Sequence, residues 1–280
     1  MLSETDRLLR PFGAWFDHAH YDLVGARNDE MRTSCGKEGG GISEGRILVA
    51  FGGKSSQIPR MALLAPSVLG ADFGHLADEI ASADRAGVTF YHLDIMDGHF
   101  VPNLSFGPGV VKTVDKLTPH FLDVHLMLSE PEKYFGAFAK AGADNITFHL
   151  EVHPDPVPFA KQLHGLGVKA GISINPDMPV EKALPFLKHF DYLLVMSVFP
   201  GFGGQKFISS ALSKVDAAFE YIRDNKLSTL IEVDGGVDIE NAATVVAAGA
   251  DILVMGTGFF GRSDRTELVQ QVAGLQPARG

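Results

Sequence analysis

Three stretches of this chain place side chains able to hold a metal ion or move a proton at alternate positions. They are His92-Leu93-Asp94-Ile95-Met96, His125-Leu126-Met127 and Val233-Asp234-Gly235-Gly236. Alternate residues of an extended strand share one face, so His92, Asp94 and Met96 project together, as do His125 and Met127. Two imidazoles and two carboxylates (His92, His125, Asp94, Asp234) suit one Zn2+, Fe2+, Mn2+ or Co2+ better than Mg2+, which prefers oxygen ligands and retained water. Such an ion would act as a Lewis acid on a substrate carbonyl and hydroxyl. Asp94 and Asp234 also form a candidate acid/base pair. If they flank a substrate on opposite faces, one removes a proton beside a carbonyl and the other returns it inverted, which is epimerisation. Met96, Met127 and Met196 would then form a polarisable wall that excludes water from a flat enediolate.

These residues need strands to aim them. Strand-like runs occur at 62–65, 89–95, 121–127, 145–148, 169–174, 192–197, 229–233 and 252–255, separated by amphipathic helical stretches such as 73–86, 131–141, 180–186, 210–224 and 239–248. Gly87, Gly142, Gly167 and Gly249 stand near helix ends, where a residue able to take positive φ closes a helix at little cost. The alternation predicts an α/β fold, a (β/α)8 TIM barrel over 61–280. An open doubly wound sheet would carry a glycine fingerprint after its first strand, and Pro66-Ser67-Val68-Leu69-Gly70 supplies none. Barrel active sites lie at the C-terminal strand ends, where His92, Asp94, His125, Met196 and Asp234 all fall.

Three glycine-rich turns follow neighbouring strands: Pro200-Gly201-Phe202-Gly203-Gly204-Gln205, Asp234-Gly235-Gly236 and Gly256-Thr257-Gly258. Together they predict a phosphate cradle built from backbone N–H groups. Such donors make the formal net charge of −10 no obstacle to binding an anion, although that charge argues against nucleic acid and anionic membranes as partners.

Residues 1–60 read differently. They hold eight Lys and Arg against eight Asp and Glu, so the whole acidic excess lies in 61–280. They show no sustained period beyond the run Ile47-Leu48-Val49-Ala50-Phe51, and are expected to be a poorly ordered extension, with Met61 a candidate natural start. Asp17-His18-Ala19-His20 is a short polar patch with no metal-motif spacing, and Gly53-Lys54-Ser55 fails as a phosphate loop because Leu48 stands where its first glycine would be. The single cysteine, Cys35, and the lack of an apolar stretch of about 20 residues or of a targeting segment lead us to expect a cytoplasmic protein.

Several longer segments carry a resemblance: Leu64-Ala65-Pro66-Ser67, the run from His92 through Asp97-Gly98-His99-Phe100-Val101-Pro102-Asn103, Asp123-Val124-His125-Leu126-Met127, Val195-Met196-Ser197-Val198, the Gly201 loop and Val233-Asp234-Gly235-Gly236-Val237. From about residue 61 to 262 the chain resembles ribulose-phosphate 3-epimerases. The resemblance implies a divalent metal on His92, Asp94, His125 and Asp234, with Asp94 and Asp234 as acid and base. It implies Ser67 and His125 in contact with substrate, and a phosphate held by Gly201, Phe202, Gly203, Gly204, Gly235, Gly236, Gly256 and Thr257. The expected reaction interconverts D-ribulose 5-phosphate and D-xylulose 5-phosphate in the pentose phosphate pathway, in a homo-oligomer. A six-carbon ketose phosphate such as D-allulose 6-phosphate is the alternative substrate, and a catalytically silent sugar-phosphate sensor a remoter one. A decarboxylase is disfavoured, since Asp94-Ile95-Met96-Asp97 has methionine where its Asp-x-Lys-x-x-Asp triad has lysine. Phe199 departs from the Asn or Glu more common before Pro200 in that family.

Overall fold

Eight parallel strands run round a barrel in a computed structural model that describes residues 61–276. Residues 1–60, with the expected extension and Cys35, lie outside the described residues. The strands are β1 (Leu63–Pro66), β2 (Phe90–Met96), β3 (Phe121–Met127), β4 (Asn145–His149), β5 (Lys169–Ile174), β6 (Tyr192–Met196), β7 (Leu230–Asp234) and β8 (Ile252–Met255). Each pairs in parallel with the next from β2 to β8, and β8 pairs with β1. The last seam, between β1 and β2, is a single parallel bridge from Ser67 to His92. The expected (β/α)8 barrel is therefore the observed fold.

The α-helices are α1 (Leu76–Arg85), α2 (Pro108–Leu117), α3 (Phe135–Lys140), α4 (Val157–Gly165), α5 (Ala211–Asp224), α6 (Ile239–Ala247), α7 (Thr257–Phe260) and α8 (Arg265–Ala273). Several end in one device. After α1, Gly87 takes φ +94° and Val88 N–H reaches back to the Ala83 carbonyl, satisfying an orphan group of the last turn. Gly142, Gly167 and Gly249 repeat it after α3, α4 and α6. The expected helix over 180–186 does not form. Two 3-10 turns, Val180–Lys182 and Leu184–His189, cross from β5 to β6 instead. Pro185 lacks an N–H, so the crossover cannot continue as an α-helix through it, while Val180, Ala183 and Leu187 still bury their side chains.

Period two sorts the strand residues. Leu93, Val124, Ile146, Ile172, Leu193, Val233 and Leu253 join one apolar core with Ile80, Val111, Leu163, Val215 and Val245 of the helices. The alternate set fills the barrel. At its N-terminal end Ala65, Phe90, Tyr192, Ile252 and Val254 form an apolar plug, with the Phe90 and Phe121 rings stacked at 4.7 Å. Above the plug the interior turns polar. The β2–β3–β4 register aligns His92 with Asp123 and Asn145, and the next inward level aligns Asp94 with His125 and Thr147.

Candidate active site

Two adjacent levels of the polar interior bring together the four predicted ligands. His92, Asp94, His125 and Asp234 each offer one ligand atom, and these atoms all lie within 4.8 Å of one another. Strand geometry does this: Asp94 and His125 are register partners across β2 and β3, and Asp234 ends β7 beside Met196 of β6. Asp94 is the hub. Its Oδ2 accepts from Ser67 Oγ at 2.5 Å, while its Oδ1 lies 3.1 Å from His125 Nδ1 and 3.3 Å from His92 Nε2.

A divalent cation fits this set. His92 Nε2 is buried without a hydrogen-bond partner, although it faces a carboxylate, and a buried polar nitrogen left unused is costly. Burial works against a charged His92, yet Asp94, Glu232 and Asp123 outweigh it and hold the imidazole well above its ordinary range. The pocket's excess negative charge thus calls for positive charge, which a cation bound by deprotonated ligands would supply.

Among the protein's own groups the two candidate acid/base carboxylates are driven apart. Burial pushes Asp94 upward, but His92 and His125 overcome it and hold the carboxyl well below the usual range. Asp234 is pushed up to about 7, by burial and then by the charge of Asp94. Opposed shifts on two neighbouring carboxylates mark them as candidate acid/base groups. Burial takes His125 down to about 4, so its ring is neutral.

Above this floor opens a cleft of about 640 Å³. Ser67, Asp94, Asp234 and all three methionines line it, as do Gly201, Phe202, Gly203, Gly204, Gly235, Gly236, Gly256 and Thr257. His92 and His125 do not: they stand behind the carboxylates, fully buried. The methionine wall has two sides. Met96 and Met127 pack with Val101, and Met196 with Leu194 and Val198. Gly236 shows why its loop must be glycine. It holds φ +63°, and a Cβ there would meet Phe207 N at 2.4 Å. The β6 loop is tied by Gln205, which donates to the Phe199 and Phe202 carbonyls, and by Asn103, which donates to the Gly201 carbonyl at 2.6 Å.

Four residues that the sequence reading passed over complete the site. Asp123 Oδ2 lies 2.6 Å from His92 Nδ1 and Glu232 Oε1 lies 3.2 Å from it, one level below the cleft. Burial, and then the charge of Asp123, pushes Glu232 up to about 8. His149 Nε2 lies 2.8 Å from His125 Nε2, with Glu151 behind it. The signal for Asp123 and Glu232 was available, since each stands two positions before a singled-out residue on the same strand face.

Residues 63–260 match the model of the ribulose-phosphate 3 epimerase family. A ribulose-phosphate 3-epimerase of Mycobacterium bovis is 46% identical over 202 residues, covering 72% of this chain and 87% of the relative. One from Bacillus subtilis is 44% identical over 215 residues, covering 76% and 99%. Among solved structures, the barrel is similar to KGPDC from Streptococcus mutans (TM-score 0.56, 13% identity, 76% of this chain and 95% of that one). It is also similar to a 3-hexulose-6-phosphate synthase (TM-score 0.54, 16% identity, 77% and 99%). At such identities the structures speak for the fold alone, whereas the family match and the relatives speak for more: this chain belongs to the ribulose-phosphate 3-epimerase family.

Proposed function

We propose that this isomerase interconverts D-ribulose 5-phosphate and D-xylulose 5-phosphate by two-base proton transfer at C3. The observation that carries the reading is the convergence of His92, Asp94, His125 and Asp234 at the floor of a cleft rimmed by glycine loops. Those four side chains would hold one divalent cation, which when bound supplies Lewis acidity for the substrate's carbonyl and hydroxyl. Asp94, ionised and oriented by Ser67, takes the C3 proton from one face. Asp234, the second carboxylate of the pair, delivers a proton to the other. The direction reverses with the roles exchanged. Met96, Met127 and Met196 keep water from the planar enediolate, and the backbone N–H groups of the loops at Gly201, Gly235 and Gly256 bind the phosphate.

Among the described residues lining the cleft Lys206 is the single Lys or Arg, which is consistent with recognition mainly by backbone N–H groups. Cytoplasmic carbohydrate metabolism and a homo-oligomeric state belong to the same reading. No helix of the described residues is long and apolar enough to cross a membrane.

The test is incubation of metal-supplied protein with ribulose 5-phosphate in deuterated water. Deuterium should enter C3 of both pentuloses, and failure to exchange would sink the reading. Parallel kinetics on allulose 6-phosphate should show a lower kcat/KM; the reverse order would move the assignment to the six-carbon substrate.

A further inference from the structure

The polar interior of the barrel does not stop at the four candidate ligands. His149, the last residue of β4, is fully buried and presses its ring against His125, with centroids 5.0 Å apart. Its Nε2 lies 2.8 Å from Nε2 of His125. Two neutral imidazoles can meet at that distance only if one nitrogen donates its proton and the other accepts. On its far side His149 Nδ1 lies 3.4 Å from Glu151 Oε2. Glu151 is itself fixed, because its Oε1 accepts the Asn175 N–H at 2.8 Å. Lys214 holds the same loop, donating to the carbonyls of Asn175, Pro176 and Met178.

The protons in this row are set by Glu151 at one end and, on the metal reading, by a cation between His125 Nδ1 and Asp94 at the other. In its absence Asp94 would itself favour a proton on that nitrogen. A carboxylate only accepts, so Glu151 favours a proton on His149 Nδ1 and leaves Nε2 of that ring a lone pair. That lone pair can face His125 Nε2 only if the latter carries its ring's single proton. Nδ1 of His125, the nitrogen 3.1 Å from Asp94, is then unprotonated. We propose that His149, backed by Glu151, is a positioning residue: it accepts the Nε2 proton of His125 and so keeps the His125 Nδ1 lone pair turned toward Asp94 and Asp234. The proposal rests on the metal reading given above, for a cation needs that lone pair. Such outer partners of ligating histidines fix tautomer and ring orientation.

The test measures Zn2+ dissociation constants by competition with a chromophoric chelator, with thermal unfolding of each zinc-free protein as a check on folding. His149→Leu removes the acceptor at similar bulk and should weaken Zn2+ binding about 10–100-fold. His149→Gln, whose amide oxygen can accept from His125 and whose NH2 can donate to Glu151, should recover most of that loss. Glu151→Gln is the sharper variant. Its carbonyl can still accept from Asn175, but its NH2 faces His149 Nδ1 and inverts the row, so Zn2+ binding should weaken as in His149→Leu. Long-range 1H–15N spectra of the zinc-loaded wild type should show His149 protonated at Nδ1, and those of Glu151→Gln should show it protonated at Nε2. A purely structural Glu151 would leave that pattern unmoved.

Wild-type affinity in folded His149→Leu, or an unchanged tautomer and affinity in Glu151→Gln, overturns the positioning role while leaving the metal reading intact. If His149→Leu does not fold, Glu151→Gln decides alone. A wild type that binds no Zn2+ sinks both.

Discussion

Aspartates stand at both ends of this barrel and do opposite things. At the N-terminal end Asp144, Asp191 and Asp251 each accept a backbone N–H from the strand next door, those of Leu122, Ala170 and Ile231, at 2.8–3.0 Å. Each locks two neighbouring strands, and beside them the interior is a plug of aromatic and aliphatic side chains. At the C-terminal end Asp94 and Asp234 are pressed toward two imidazoles and each other, and His92 Nε2 stands without a partner. A carboxylate given backbone donors stabilises a fold. The same group given a like-charged neighbour and little water is, on the proposed reading, a reagent, and its stability cost is carried by the rest of the barrel.

The comparison breaks first at the mouth. Asp94→Asn and Asp234→Asn should each lower turnover by about 10²–10⁴-fold or more, read from the pentulose interconversion rate, without loss of thermal stability. A variant near wild-type rate would remove that carboxylate from the proton-transfer pair. One level down, Asp123→Asn should weaken Zn2+ binding about 10–100-fold by loosening the group that holds His92 Nδ1, again by chelator competition.

The smallest effect belongs to the other end. Asp191→Asn should cost about 1–2 kcal/mol in chemical denaturation and leave kcat unchanged. Its pH dependence sharpens the contrast. Burial raises the Asp191 carboxyl, but the Ala170 N–H, His164 and Lys169 outweigh it and hold it below its ordinary value. Its stabilisation is therefore complete above the unfolded carboxylate value of about 3.9 and fades as pH falls through the lower folded value. A stability difference between wild type and variant that grew on acidification would contradict this.

Much of this arrangement was legible in the sequence because the barrel interior is polar and its exterior apolar. In β2, the runs Leu93-Asp94-Ile95 and Tyr91-His92-Leu93 announce both faces at once. The glycine loops were legible for a similar reason, since Gly235 and Gly236 tolerate no side chain where they sit. Depth along the barrel axis was not legible. Whether Asp123 lies level with His92 or with Asp94 depends on the stagger between β2 and β3, which no single strand encodes. His149 was missed because the strand was expected to stop at 148, one residue before the side chain that faces His125. The β5–β6 crossover was misjudged because Val180, Ala183 and Leu187 suit a 3-10 turn as well as an α-helix, and Pro185 decides between them.

The single seam between β1 and β2 reaches into the life of the nascent chain. Strand β1 is made first among the eight but finds its ladder only in β8, made last, as Leu63 pairs with Ile252. The bridge that shuts the barrel joins Ser67 to His92, one the donor to Asp94 and the other a candidate ligand. On the ribosome, no partly synthesised barrel can own the proposed reaction centre complete. Activity arrives with the final strand, and anything that grips the centre also clasps the ends of the barrel together.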